Sequence, residues 1–142
     1  MANIHIDGTI MIYPAFHAQQ TWKFSVDNDC LLVDYFFSSL AKSVVIQSTL
    51  VLDFFNNADF KVLCGYNDKG GIDGVTVYYE FWQSITKYHA QLWCPRKIHD
   101  SYFELLELLW NVGKQGDSEL QTNLNDIGIY FKEMQTSLFD AI

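Results

Sequence analysis

Cys30-Leu31-Leu32-Val33-Asp34-Tyr35-Phe36-Phe37 admits two assignments, helix or strand. Asp27, Asn28 and Asp29 precede it and can cap a helix N-terminus, and Leu32, Phe36 and Leu40 recur every fourth residue. That spacing favours a helix over 30–42. The same residues, rich in aromatic and branched side chains, could also begin as a strand.

Upstream the period is two. Trp22, Phe24 and Val26 alternate with Thr21, Lys23 and Ser25, the pattern of a half-buried strand. Ile4, Ile6, Ile10 and Ile12 share parity with Gly8. One strand with a bulge or a close approach at Asp7-Gly8 accommodates them; a tight Asp7-Gly8 hairpin is the alternative, though it leaves only a stub before the turn. Pro14 ends the segment. Downstream, Val44, Ile46, Leu50, Leu52 and Phe54 predict a long strand, Asn56 to Asp59 a turn, and 60–66 the return strand of a hairpin. Asn67 to Gly74 reads as a flexible loop, and GVTVYYEFW (74–82) as a further sheet strand. Residues 83–93 fit either a helix, through Ile85, Tyr88 and Leu92, or a strand, and Pro95 closes them in both cases.

The C-terminal third reads as two helices. Ser101 with Glu104 has capping-box spacing, Phe103, Leu106, Leu109 and Trp110 form the apolar set, and Gly113 is a natural stop. Asp117 and Ser118 can cap the second helix, where Leu120, Leu124, Ile127, Phe131, Met134 and Leu138 make an amphipathic stripe. Gly128 weakens that helix by about 1 kcal/mol relative to Ala. Strands followed by helices, rather than strict alternation, predict an α+β fold. The expectation is a single domain over 1–142: a mainly antiparallel sheet of four to six strands, with one early helix and two C-terminal helices packed on it.

With 49% hydrophobic residues over 142 positions, the chain can bury enough surface to fold without disulfides or metals. Seventeen acidic residues against nine basic ones leave a net charge of −8, a field that repels phosphate. The cations are scattered, Arg96-Lys97 being the only adjacent pair, so a direct nucleic-acid grip is not expected. Residues 99–142 hold eight acids and two lysines, so −6 of the charge falls in the last third. No apolar run approaches the roughly 20 residues of a membrane helix. Met1 to Ile6 lack a secretory pattern, and Cys30, Cys64 and Cys94 are odd in number and widely spaced, so a cytoplasmic protein with reduced thiols is expected.

Two features are candidate sites. Glu119, Asp126, Glu133 and Asp140 recur every seven residues on the last helix, and Asp100, Glu104 and Glu107 share a face of the one before. These carboxylate rows could neutralise a basic partner or simply solvate the helices. Tyr78, Glu80 and Trp82 face one way on their strand while Tyr79 and Phe81 face the other. Either helices cover both faces, or one face is a binding surface of the Tyr- and Trp-rich kind. The chemistry of an active site is weaker. His89, Cys94 and His99 are spaced five apart without a CxxC or HxxxH pair, Gly70, Gly71 and Gly74 lack P-loop context, and Asp68 and Asp73 lack EF-hand spacing.

The sequence therefore predicts a non-enzymatic binding or inhibitor protein without cofactor or metal. Its acidic, aromatic-bearing surface, carried by Asp100, Glu104, Glu107, Glu119, Asp126, Glu133, Tyr78, Glu80 and Trp82, would dock a basic protein. An immunity protein covering the cationic groove of a nuclease-type toxin has this physical character. The alternatives are a phosphate-mimicking inhibitor of the phage type, and a small-molecule-binding domain or modest enzyme with an aromatic pocket near Glu80, His89 and Cys94. Oligomeric state is left open.

Overall fold

A computed structural model describes residues 4–60, 74–95 and 101–131. Strands β1 (His5–Pro14), β2 (Gln20–Asp27), β3 (Cys30–Phe37) and β4 (Leu40–Gln47) follow one another as a meander. Helix α1 (Thr49–Asn57) leads out of β4, β5 (Val75–Gln83) and β6 (Thr86–Trp93) form a hairpin, and α2 (Ser101–Gly113) and α3 (Ser118–Gly128) close the described chain. The six strands form one sheet in the order β4-β3-β2-β1-β5-β6, every neighbouring pair antiparallel. The fold is α+β, with a six-stranded antiparallel sheet, one helix after β4 and two C-terminal helices.

The early helix lies at 49–57, not at 30–42. Residues 30–37 are β3, where Leu31, Val33, Tyr35 and Phe37 are buried and the alternate Leu32 and Phe36 are exposed. A spacing of four is also twice a spacing of two, so Leu32 and Phe36 satisfy strand and helix alike. The decision falls to the intervening apolar residues, which a sheet buries and an exposed helix flank would not. Ser38, at φ 51°, then reverses the chain into β4. The expected long strand through Phe54 stops at Gln47 for a comparable reason. The Ser48 hydroxyl accepts the Leu50 N–H at 3.1 Å and caps α1, which buries Val51 and Phe55 one turn apart. Asn56 to Asp59 therefore lies at the end of a helix and not in a hairpin turn. Of the expected return strand, Phe60 is described and buried, and 61–66 lie outside the described residues, as does most of the 67–74 loop. Residues 83–93 resolve as a strand with its turn at Ser84-Ile85.

β1 runs unbroken through Asp7-Gly8, so no hairpin forms there. Gly8 is required by a close approach: a Cβ there would stand 2.3 Å from Phe81 Cβ and 2.8 Å from Phe24 Cζ. These two rings close over it, with centroids 6.1 Å apart.

The three described helices lie on one side of the sheet. Ile6, Ile10, Ile12, Trp22, Phe24, Val33, Tyr35, Val77, Tyr79 and Phe81 point toward them and are buried. α2 is sunk in this layer, with all but Glu104 buried, and its Tyr102 packs against Tyr79 and Phe81 with ring centroids at 5.3 and 6.3 Å. Ser101 is itself the first residue of α2, and its hydroxyl accepts the Asp59 N–H at 2.9 Å, tying α1's exit to α2's start. The Tyr35 hydroxyl donates to the Leu109 carbonyl, and Trp110 Nε1 donates to the Leu124 carbonyl at 3.0 Å, joining sheet to α2 and α2 to α3. Asp117 caps α3 as its sequence position predicts, accepting the Leu120 N–H at 2.9 Å. Leu120, Leu124, Ile127 and Phe131 are buried; Met134 and Leu138 lie outside the described residues.

Candidate functional site: the uncovered face of the sheet

Strand alternation sends a second set of side chains away from the helices, and no described element covers them. Register places them in rows across the strands. Ser43, Asp34, Lys23, Thr9, Glu80 and His89 form the central row, from β4 to β6. Val45, Leu32, Ser25, Asp7, Trp82 and Lys87 form the row on one side of it; Ala41, Phe36, Thr21, Met11, Tyr78 and Gln91 the row on the other. A face opposite a core would ordinarily be polar. Here Trp82, Val45, Leu32, Phe36 and Tyr13 are exposed among the polar residues, Trp82 by 47% and Val45 by 63%.

A concavity of about 410 Å³ opens in the middle of this face. Its floor is made of short residues, Gly8, Thr9 and Ser25, and its walls of Trp82 on one side and Leu32 on the other. Among the described residues, Asp7, Asp34 and Glu80 supply three carboxylates to the lining and Lys23 an ammonium. Each charge has a local partner of modest strength. Asp7 lies 2.9 Å from His5 Nε2, Glu80 3.3 Å from Lys87 Nζ, and Asp34 accepts the Ser43 hydroxyl at 2.5 Å. Lys23 stands over the Phe36 ring, 5.5 Å from its centroid, and Lys87 over Trp82 at 5.6 Å. These contacts are exposed, so each is worth little, and water or a ligand can replace them at low cost. A smaller hollow of about 220 Å³, lined by Met11, Tyr13, Thr76 and Tyr78, adjoins at the β1–β5 side, with Tyr13 and Tyr78 edge to face at 5.3 Å.

The expected docking residues fall on two separate surfaces. Tyr78, Glu80 and Trp82 share the uncovered face as their alternation predicts. Glu104, Glu119 and Asp126 are exposed on helices beyond the core, on the opposite side of the sheet. Glu107 is only 5% exposed, so it presents no carboxylate to a partner and the row on α2 is broken. Burial overrides a helical spacing argument here because α2 is packed all round. Glu119 and Asp117 are both engaged by Lys42 of β4, at 3.0 and 2.7 Å from its Nζ. Their bonds to Lys42 hold the Asp117 carboxyl below its ordinary pKa and the Lys42 ammonium above its own. Asp100, Glu133 and Asp140 lie outside the described residues.

No family model, no curated protein and no solved structure matches the chain, so the site is read from its own chemistry. Glu80 and His89 are directly opposed on β5 and β6, but Cys94 lies at the far end of β6 beside Gly74, so the three do not converge. His99 is outside the described residues. Among the described residues no group of three or more His, Cys, Asp or Glu side chains could hold a metal ion. No helix among them is long and apolar enough to cross a membrane.

Sequence reasoning missed Asp7, Lys23, Leu32 and Asp34. The signal was present: once 30–37 is a strand, Asp34 takes the same face as Leu32 and Phe36, and Lys23 the face of Thr21 and Ser25. What joins them to Glu80 is strand order, with Thr9 of β1 sitting between Lys23 and Glu80. The described residues hold twelve carboxylates against four lysines.

Proposed function

We propose that the protein is a non-enzymatic binding protein whose uncovered sheet face docks a basic protein partner. An immunity or inhibitor protein that occludes the cationic groove of a nuclease-type toxin is the kind it fits. The observation that carries this reading is the concavity with Asp7, Asp34 and Glu80 in its lining and Trp82 as its wall. A Lys or Arg side chain of the partner would meet carboxylates and an aromatic ring together. The excess of carboxylates over lysines steers a cationic surface toward the molecule, and burial of Trp82, Leu32 and Phe36 slows its release. The small residues of the floor leave room for such a side chain without rearrangement of the backbone. The reading places the protein in the cytoplasm, in keeping with three widely spaced cysteines, of which Cys30 and Cys94 are free thiols.

The test compares the two acidic surfaces. The protein is immobilised, exposed to a native lysate, and the retained protein is identified and purified. Its affinity is then measured for the wild type, for Asp7→Lys/Asp34→Lys/Glu80→Lys, and for Glu104→Lys/Asp126→Lys. The expected partner is basic, and its affinity falls at least about a hundredfold for the sheet triple and between 0.05 and 0.5 M salt, while the helix pair changes it little. If the partner is not basic, or if the sheet triple binds it as well as the wild type, the reading is wrong.

A further inference from the structure

The two edges of the sheet are not equivalent. Both hairpins that end at an edge have two-residue turns, Ser38-Ser39 and Ser84-Ile85, so the residues flanking each turn form a hydrogen-bonded pair. Alternation then fixes which backbone groups point outward. On β6 these belong to Lys87, His89, Gln91 and Trp93, so the edge carries an ammonium and an imidazole, a usual guard against added strands. On β4 they belong to Ala41, Ser43, Val45 and Gln47, an edge with no charge, no proline and no bulge. Val45 is among the most exposed apolar side chains described, at 63%. Its one cation, Lys42, points to the helix side and is held there by Asp117 and Glu119. No described residue bonds to the outward N–H and C=O groups of this strand.

We propose that β4 is the seam of a weak symmetric dimer, in which a second copy of the chain adds its own β4 antiparallel along this edge. The sequence of the strand is self-complementary about Val44. In that register Ser43 opposes Val45 of the second copy and Ala41 opposes Gln47, both as hydrogen-bonded pairs. Val44 opposes itself, and Lys42 opposes Ile46, so no like charges face each other. A register shifted to oppose the two Lys42 side chains would lose this. The seam joins two six-stranded sheets and lines up Val45, Leu32 and Phe36 of both copies on the uncovered face. Its length, about seven residues at 3.4 Å each or roughly 24 Å, is short for a stable interface, so association is in the micromolar range or weaker. The inference does not depend on the basic partner proposed above.

Sedimentation equilibrium of the purified chain, from about 5 to 500 µM, reads this directly. The wild type is expected to rise from the monomer mass towards twice that value. Val45→Lys, which places two like charges diagonally across the seam, and Val45→Pro, which removes one outward N–H, are each expected to weaken association at least tenfold. Circular dichroism checks that both variants fold, and Val45→Lys suffices if the proline does not. A wild type that stays monomeric throughout overturns the proposal, including the case in which Val45→Lys impairs only capture of another protein. A dimer that both substitutions leave unchanged overturns it too, since the seam then lies elsewhere.

Discussion

Phe81 and Trp82 are consecutive in β5 and lie on opposite faces of the same sheet, one fully buried under α2, the other 47% exposed beside the concavity. They mark a contrast that runs across all six strands. The helix side is close-packed, with Phe60, Tyr79, Phe81, Tyr88 and Tyr102 in mutual ring contact. The other side carries aromatic and aliphatic residues of comparable size with nothing described above them. The lesson is that aromatic content alone does not say where a core lies; a cluster such as 78–82 can supply a core and a surface at once, through alternation.

The contrast is broken most sharply at those two residues. Phe81→Ala is expected to cost about 3–5 kcal/mol, because the cavity left under α2 cannot collapse. Trp82→Ala should stay within about 1 kcal/mol of wild type, yet weaken partner binding at least about tenfold. Urea denaturation and the affinity measurement separate the two; equal losses of stability would remove the distinction between the faces.

Gly8 and Thr9 give the next largest difference. Gly8→Ala forces a methyl against Phe81 and Phe24 and is expected to cost about 1–3 kcal/mol, whereas Thr9→Val, in the concavity floor, should change stability by less than about 0.5 kcal/mol. Thermal unfolding of the pair is enough to read it.

The buried face also sets an alkaline limit. Burial pushes the Tyr35 and Tyr79 hydroxyls well above their ordinary pKa, and the Tyr79 hydroxyl has no hydrogen-bond partner among the described residues. The unfolded chain ionises these groups near pH 10 while the folded one holds them neutral, so their contribution is complete below about pH 10 and is lost as pH rises further. Urea midpoints measured from pH 8 to pH 11 should fall more steeply in the wild type than in Tyr35→Phe/Tyr79→Phe.

The smallest effect lies at the rim, where Lys42 meets Asp117 and Glu119. Lys42→Met removes a half-exposed, screened contact. Asp117 is held below its ordinary pKa, so its share of stability is present above about pH 4 and is lost as pH falls. The difference between wild type and Lys42→Met should narrow between pH 6 and pH 3, and at pH 6 should shrink in 0.5 M salt.

Much of this architecture was legible in the residues, and the failures are instructive. Period two in β1, β2 and β5, the stripe Leu120-Leu124-Ile127, and the Asp117 cap are local signals, and the fold uses them as they stand. Leu32, Phe36 and Leu40 fit either period, so their spacing does not decide β3, and the one-residue cap at Ser48 turns the expected end of a strand into α1. Of the site, Tyr78, Glu80 and Trp82 could be placed on one face by alternation. Asp7, Lys23 and Asp34 could not be joined to them, because cross-strand neighbours are set by strand order.

By itself, the sequence determined the excess of acid, the α+β class, and which side chains within each strand share a face, since side-chain direction follows from backbone geometry one residue at a time. Only the tertiary structure decided that β5 returns beside β1, that Glu107 is buried, and that the helices cover one face and leave the other open. Those outcomes depend on where large apolar surfaces from distant parts of the chain find each other, and no local pattern encodes that.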